Sequence, residues 1–304
     1  MKIEKIIDVI GVPIEKGAGR TGPDLGPKAL RYTGCKIDGL KNFFDSVKLR
    51  YNDCGDIDCP YSKIDKEPVD GFKNLPQINE VNKKLYEKVG ETLKKGHFPL
   101  VIGGDHSLAV GSVLATQKHY KKIGLIWVDA HGDFNDNKST ESGNIHGMPM
   151  SAVTNNGPTE IVKFHNKSDG FVDPKNTVLI AARDIDALEE IRLKDAGVTV
   201  YKMRDILEKG LRATAESAIK IVSENTKGFY LSFDLDSLDP RYAPGVSTLV
   251  DDGLSLLEAR YLFEEFNKSD KLLGVDLVEL NIMEDIKGKT AENAFKLLKS
   301  ILCG

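Results

Sequence analysis

The chain has 304 residues, 40% of them apolar and 29% charged, with a formal net charge of −4 at pH 7. That length can bury a large core, and an α/β domain of this size is common. The mildly acidic balance argues against nucleic acid or an anionic membrane as the main partner and suits a small cationic substrate.

In chain order, Met1-Lys2-Ile3-Glu4-Lys5 puts charge where a signal peptide needs an apolar stretch. No run approaches the roughly 18 apolar residues of a membrane helix, so a cytoplasmic protein is expected. A β-branched run predicts a strand over Lys5–Val12. Gly17-Ala18-Gly19-Arg20-Thr21-Gly22 spells G-x-G-x-x-G. A dinucleotide fingerprint needs a helix opening on those glycines, whereas here Pro23 and Pro27 intervene. The segment reads as a turn, with a helix beginning near Pro27. A strand over Val47–Asn52 precedes a polar patch, Asp53–Asn74, expected to be the least structured stretch. Cys54 and Cys59 lie in it, and Cys35 and Cys303 complete the four cysteines. The C-x-x-C spacing is missing and there is no second pair, so reduced structural thiols are expected rather than a redox or zinc site.

A helix over Pro76–Lys95, a strand over Pro99–Gly103, a helix over Ser107–His119 and a strand over Gly124–Asp129 follow. They lead into a polar loop, Asp133–Asn144. Further strands are expected over Thr177–Ala182, Val198–Lys202, Gly228–Asp234 and Leu272–Glu279. Between and after them come helices over Ala187–Ala196, Leu211–Asn225, Ser255–Asn267 and Ala291–Leu302. The alternation predicts βαβ units around a mainly parallel sheet, in one α/β domain spanning 1–304. N-x-S sequons at Asn137, Asn166 and Asn267 carry no weight without a secretion signal.

In open α/β sheets, ligands sit outside the carboxyl ends of the strands. Gly103-Gly104-Asp105-His106, Asp129–Asp133, Arg183–Asp186, Asp234–Asp236 and Glu279 all fall at such ends. In extended backbone, residues i, i+2 and i+4 share a face, so Asp129, His131 and Asp133 are expected to converge. Asp234 and Asp236 repeat the pattern. An isolated Asp or His would more often be a capped strand end. Three such endings in one chain point instead to a metal centre formed by His106, Asp129, His131, Asp133, Asp234 and Asp236. Carboxylates packed together resist ionising, and two divalent cations would make the cluster tolerable. Oxygen-rich ligation with imidazole and no thiolate favours Mn²⁺ over zinc, and two such ions can generate a hydroxide near neutral pH.

These residues carry a resemblance. Gly-Gly-Asp-His-Ser at 103–107, Asp-Ala-His-Gly-Asp at 129–133 and Ser-Phe-Asp-Leu-Asp at 232–236 match, in order and spacing, the metal motifs of the arginases, within the ureohydrolase family. The likeness runs from about Ile10 to about Glu279. It implies a three-layer αβα domain with a parallel eight-stranded sheet, two Mn²⁺ per subunit, and a homotrimer or hexamer. By the same resemblance Asp129 and Asp234 bridge the ions, His106 and Asp133 complete one site, and His131 and Asp236 complete the other.

The resemblance also implies how a substrate would be read. Asn135, Thr140 and Ser142 are neutral donors suited to an α-carboxylate, with Asn144 supporting that region, which favours arginine over agmatine. Asp186 and Glu189 would recognise the α-amino group, though acids in a first helical turn are commonly caps or dipole partners. Glu279 would pair with the guanidinium beside Thr248, and His146 would shuttle protons. The implied reaction is hydrolysis of L-arginine to L-ornithine and urea by a metal-bridging hydroxide, with Asp133 passing a proton to the departing amine. His97, His119 and His165 lack such context and read as incidental.

The chain departs from the family in the loop 244–253, where Ser247 replaces a glycine, Leu249 a proline and Asp252 a glycine. Glycine permits angles these residues adopt less readily, so the loop is expected to be reshaped next to the guanidinium. The alternatives are another ureohydrolase, acting on agmatine, formiminoglutamate or a different guanidino compound, or a metal-binding regulatory protein without turnover.

Overall fold

The computed structural model describes residues 5–32, 39–60 and 71–304. Among them, eight strands form one sheet: β1 (Ile7–Val12), β2 (Tyr51–Asp56), β3 (Phe98–Gly103), β4 (Gly124–Val128), β5 (Thr177–Ala182), β6 (Thr199–Lys202), β7 (Phe229–Asp234) and β8 (Leu272–Val278). The spatial order is β2-β1-β3-β8-β7-β4-β5-β6, and each neighbouring pair is parallel. Parallel neighbours need crossover connections, and helices make them over both faces.

Strand alternation builds the two faces. Ile126 and Val128 of β4 enter one apolar core with side chains of the helices Gly39–Val47, Leu211–Ser223, Leu256–Lys268 and Lys289–Cys303. Leu125 and Trp127 enter the other, with the helices Leu75–Lys94 and Ala109–Tyr120. The outcome is the parallel sheet predicted by the alternating pattern, in the three-layer αβα architecture implied by the resemblance.

Some elements differ from expectation. The second strand begins at Tyr51 rather than Val47, because Gly39–Val47 is a helix that buries Leu40, Phe43, Phe44 and Val47. An edge strand reading Tyr-Asn-Asp-Cys-Gly-Asp buries little and gives a weak pattern. The short helices Pro149–Val153 and Met203–Lys209 were not expected either. Within the polar patch, Asp53–Asp56 belongs to β2, while 61–70, like Cys35, lies outside the described residues. Among the described residues Cys54, Cys59 and Cys303 form no disulfide, and no helix is long and apolar enough to cross a membrane.

The topology does one thing for function. β3, β8, β7, β4 and β5 are far apart in the chain but consecutive in the sheet. Their carboxyl ends bring the segments that follow Gly103, Val278, Phe233, Val128 and Ala182 to a single edge.

Candidate active site and metal centre

β4 ends at Val128, so Asp129, His131 and Asp133 do not share a face by strand alternation, contrary to the extended-backbone expectation. The chain turns instead. Asp129 Oδ1 accepts the His131 N–H at 2.7 Å, and Trp127 Nε1 donates to Asp129 Oδ2 at 3.0 Å. The same turn recurs where Asp234 Oδ1 accepts the Asp236 N–H at 2.7 Å and where Asp105 Oδ1 accepts the Ser107 N–H at 3.0 Å. An aspartate that binds the N–H two residues on offers the backbone an alternative to continuing a strand. Asp133 then takes φ 50°, and its carbonyl is held by the N–H groups of Met150 and Ser151 at 3.0 and 3.2 Å. A left-handed non-glycine residue is costly and persists only where its surroundings fix it.

The turns bring six side chains together. His106 Nδ1 lies 3.1 Å from Asp129 Oδ2 and 3.2 Å from both Asp133 Oδ2 and Asp234 Oδ2. His131 Nδ1 lies 3.1 Å from Asp236 Oδ2 and 3.4 Å from Asp129 Oδ1. Two groups have ligand atoms near enough to hold one ion each: His106 with Asp129 and Asp133, and His131 with Asp129 and Asp236. Asp129 belongs to both; Asp234 joins through its contact with His106. His106 Nδ1 and Asp133 Oδ2 are buried and, though close, are not aligned for a hydrogen bond with any partner. Converging polar atoms left unbonded in the interior are costly unless a ligand satisfies them. Carboxylates and imidazoles without thiolate fit hard to borderline divalent cations.

The electrostatics agree. Burial and then the neighbouring Asp129 charge push Asp133 up to about 7. Burial, Asp236 and Asp129 raise Asp234 well above the usual carboxylate range, and burial also raises Asp236. Burial opposes ionisation of Asp129 too, yet His106 and His131 hold it well below that range. Burial opposes charge on both histidines, but the carboxylates around them push both well above their ordinary value. Without cations the cluster retains protons that divalent ions would displace.

A further ring of contacts orients the candidate ligands. His106 stacks on Trp127 with centroids 4.1 Å apart, and its Nε2 lies 2.8 Å from Ser232 Oγ. Ser232 Oγ donates to Asp276 Oδ2 at 3.2 Å, Ser112 Oγ donates to the same oxygen at 2.8 Å, and the Tyr230 hydroxyl donates to Oδ1 at 2.6 Å. Because Ser232 gives its own hydrogen to Asp276, it accepts one from Nε2–H, which leaves the Nδ1 lone pair facing the carboxylates, where it could take a cation. Sequence reading missed Trp127, Ser232 and Asp276. The signal available was an acid inside the apolar run of β8 and the one tryptophan, two residues before Asp129.

Beside the cluster is a cavity of about 150 Å³, lined by Asn135, Ser142, His146, Asp186, Glu189 and Thr248 together with ligand residues. Thr140 and Asn144 are absent from its lining. Thr140 Oγ1 accepts the Gly143 N–H at 3.1 Å, and Asn144 Oδ1 accepts from Lys73 Nζ at 3.1 Å. Asp186 occupies the N-cap of the helix Ala187–Ala196, but its side chain makes no cap bond and accepts from Asn135 Nδ2 at 3.1 Å. Glu189 Oε1 accepts the Phe134 N–H at 2.7 Å and Asn135 Nδ2 at 3.2 Å, and burial pushes this carboxyl up to about 8. Asp184, also on the lining and not singled out in the sequence, lies 3.8 Å from His131 Nε2.

Glu279 follows β8 with φ 63°. Its Oε1 accepts the His106 N–H at 3.0 Å and lies 3.1 Å from His146 Nδ1, while its buried Oε2 has no partner. The glycine-rich segment 17–22 serves this edge rather than a nucleotide: the Gly17 N–H donates to Asp105 Oδ2 at 2.8 Å and its carbonyl accepts the His146 N–H at 3.2 Å. In the atypical loop, Asn281 Nδ2 donates to Ser247 Oγ at 3.1 Å, Leu249 is exposed, and Thr248 Oγ1 donates to Asp236 Oδ2 at 2.9 Å. Of the three departures, Asp252 adopts a left-handed angle, φ 61°, with its N–H donating to Asp239 Oδ2 at 3.2 Å. His97, His119 and His165 are not on the cavity lining; His97 Nδ1 lies 2.9 Å from Asp8 Oδ1 and His165 Nε2 lies 2.8 Å from the Gly170 carbonyl.

Known proteins resemble this chain in sequence and fold. The arginase family model matches residues 5–304. An arginase of Staphylococcus aureus (strain MSSA476) is 41% identical over 297 residues, covering 97% of this chain and 96% of its own. The native structure of arginase from Bacillus caldovelox superposes with a TM-score of 0.92 at 35% identity, covering 99% of each chain. Entamoeba histolytica arginase, solved in complex with L-ornithine, gives a TM-score of 0.89 at 28% identity, covering 100% of this chain and 99% of that one. Identity at this level over nearly the full length, with the sheet and helices superposed, shows that the chain belongs to the arginase family of amidinohydrolases.

Proposed function

We propose that this chain hydrolyses L-arginine to L-ornithine and urea with a pair of divalent cations, Mn²⁺ being the best match to the donors. His106, Asp129, Asp133 and Asp234 would hold one ion, and His131, Asp236 and the shared carboxylates Asp129 and Asp234 the other. Bound ions would lower the pKa of a shared water towards neutrality and so supply the nucleophile.

The observation that carries the reading is Glu279 Oε2, an unpartnered oxygen on a side chain 1% exposed, beside an acid-rich cluster. A buried carboxylate oxygen without a partner is costly, and a planar cationic guanidinium would satisfy it. Glu279 thereby places the guanidinium carbon. Asp133, which lines the cavity beside Glu279, would take up a proton at its carboxylate and deliver it to the departing amine. His146, touching Glu279, exchanges protons with solvent. Asn135 and Ser142 face the same cavity as Asp186 and Glu189, so donors for a carboxylate and acids for an ammonium stand within one pocket. An α-amino acid needs both, whereas agmatine, which carries an ammonium but no carboxylate, needs only the acids. The L-ornithine complex of the Entamoeba relative supports the same choice.

Urea release from arginine, agmatine and guanidinobutyrate, each with Mn²⁺, Ni²⁺, Co²⁺ and Zn²⁺, tests the proposal. Arginine with Mn²⁺ should give the highest kcat/KM, and Ser142→Ala should chiefly raise KM for arginine. Faster turnover of agmatine would overturn the substrate. Absence of urea from every compound, with two ions bound, would favour a regulatory metal protein instead.

A further inference from the structure

Arg183 stands at the end of β5, just past a bulge. The pairing register with β6 shifts between Ile180 and Ala182, and Ala181 takes φ 76°. Bulges re-aim the residues that follow them. Here the Arg183 backbone N–H donates to the Ala130 carbonyl at 2.8 Å, and the Asp184 N–H donates to the same oxygen at 3.0 Å. Ala130 lies between Asp129 and His131, and its own N–H donates to Asp236 Oδ1 at 3.3 Å.

The guanidinium then reaches into the loop that carries Asp236 and Thr248. Arg183 Nε donates to the Asp251 carbonyl at 3.0 Å, and Nη1 to those of Ala181 and Ser237, each at 3.2 Å. Nη2 donates to the carbonyls of Asp236, Leu238 and Val250 at 2.7, 3.3 and 2.8 Å. Every acceptor is a backbone oxygen, and no carboxylate takes part. The loop closes so tightly that a Cβ at Gly253 would stand 2.6 Å from Arg183 Nη2.

We infer that Arg183 is a positioning residue for the second cation site, its guanidinium holding Asp236 in register with His131 by tying the backbone at 236–238 to that at 250–251. This rests on the two-ion reading above. Without the guanidinium, the carbonyls of Asp236, Ser237, Leu238, Val250 and Asp251 would converge with no donor between them and the loop would splay. Asp236 would then leave His131, and Thr248 would lose its acceptor. The site of His106 and Asp133 hangs on β3 and on the Met150–Ser151 backbone, so it is not held by this staple. Lysine keeps the charge but offers one nitrogen with three donors, so it cannot span both flanks of the loop.

The test is to count Mn²⁺ per folded chain by native mass spectrometry across buffered free-metal concentrations, for wild type, Arg183→Lys and Arg183→Gln. Counting ions on folded chains alone keeps the measurement valid if a variant is partly unfolded. Wild type should hold two ions. Folded variants should hold one with affinity within about twofold of wild type and bind the second roughly 10–100-fold more weakly, the range for outer partners of metal ligands. Adding His131→Ala to Arg183→Lys should not lower the count further, whereas adding His106→Ala should. Two ions held with wild-type affinity, or both weakened alike in folded chains, would overturn the assignment. A wild type that never exceeds one ion would overturn the two-ion reading itself, and this assignment with it.

Discussion

His146 Nδ1 lies 3.1 Å from Glu279 Oε1, the oxygen that also accepts the His106 N–H, while Glu279 Oε2 is buried and unbonded. One oxygen of this carboxylate ties the loop after β3 to the loop ending at His146, and the other is left for a ligand. Burial opposes charge on His146, but the contact with Glu279 outweighs it and pushes the imidazole up to about 9.

The first prediction follows from that pairing. In cation-free protein the His146 resonance should titrate near pH 9, and Glu279→Gln should return its midpoint towards about 6.5. A value raised on folding lends stability that is full below the unfolded value and is lost as pH rises through the folded one. The stability margin of wild type over His146→Asn should therefore shrink from about pH 6.5 to about pH 9. An unmoved midpoint in Glu279→Gln would refute the pairing.

Asp129 is common to both ligand groups, whereas Asp133 and Asp236 belong to one each. Asp129→Ala should abolish binding of both ions and lower kcat by more than about a hundredfold, several kcal/mol of lost charge stabilisation. Elemental analysis after gel filtration checks it: two ions retained by this variant would undo the ligand assignment.

A Cβ on Gly132 would stand 2.4 Å from the Glu189 carboxylate, which the Phe134 N–H holds in place. Gly132→Ala should destabilise the fold by roughly 1–3 kcal/mol through overpacking. Chemical denaturation measures this, and Glu189→Ala in the same chain should recover part of the loss. A Gly132→Ala midpoint equal to that of wild type would show that the carboxylate yields freely.

Glu189 gives a pH dependence of its own. Burial raises its carboxyl from 4.5 to about 8, so the folded state prefers the protonated form. The associated stability is full below about pH 4.5 and lost as pH rises through about 8. Glutamine mimics the neutral acid, so Glu189→Gln should gain in melting temperature over wild type between about pH 5 and pH 8, as read by calorimetry in apoprotein. A difference that stays flat over that interval would contradict the buried, proton-retaining environment.

Much of this was legible in the chain itself. Apolar runs alternating with helical periodicity announced a parallel sheet, and strands such as Thr177–Ala182 fell where the residues placed them. The edge strand β2 was misplaced because a half-solvated strand carries little apolar pattern. The candidate ligands of Asp-x-His-x-Asp come together for a reason other than the expected one. Their geometry comes from an aspartate binding the N–H two residues on and from the left-handed Asp133, not from strand alternation. Thr140 and Asn144, named through the resemblance, spend their side chains on their own loop and on Lys73.

The sequence by itself determined which chemical groups stand at the strand ends, because side-chain identity and short-range spacing are local properties. Only the tertiary structure decided which ends are neighbours, since β3, β8, β7, β4 and β5 meet in an order the chain does not spell. It alone showed Arg183 gathering carbonyls from residues more than fifty positions away. Backbone oxygens are the same in every residue, so a bond to them leaves no trace in the sequence.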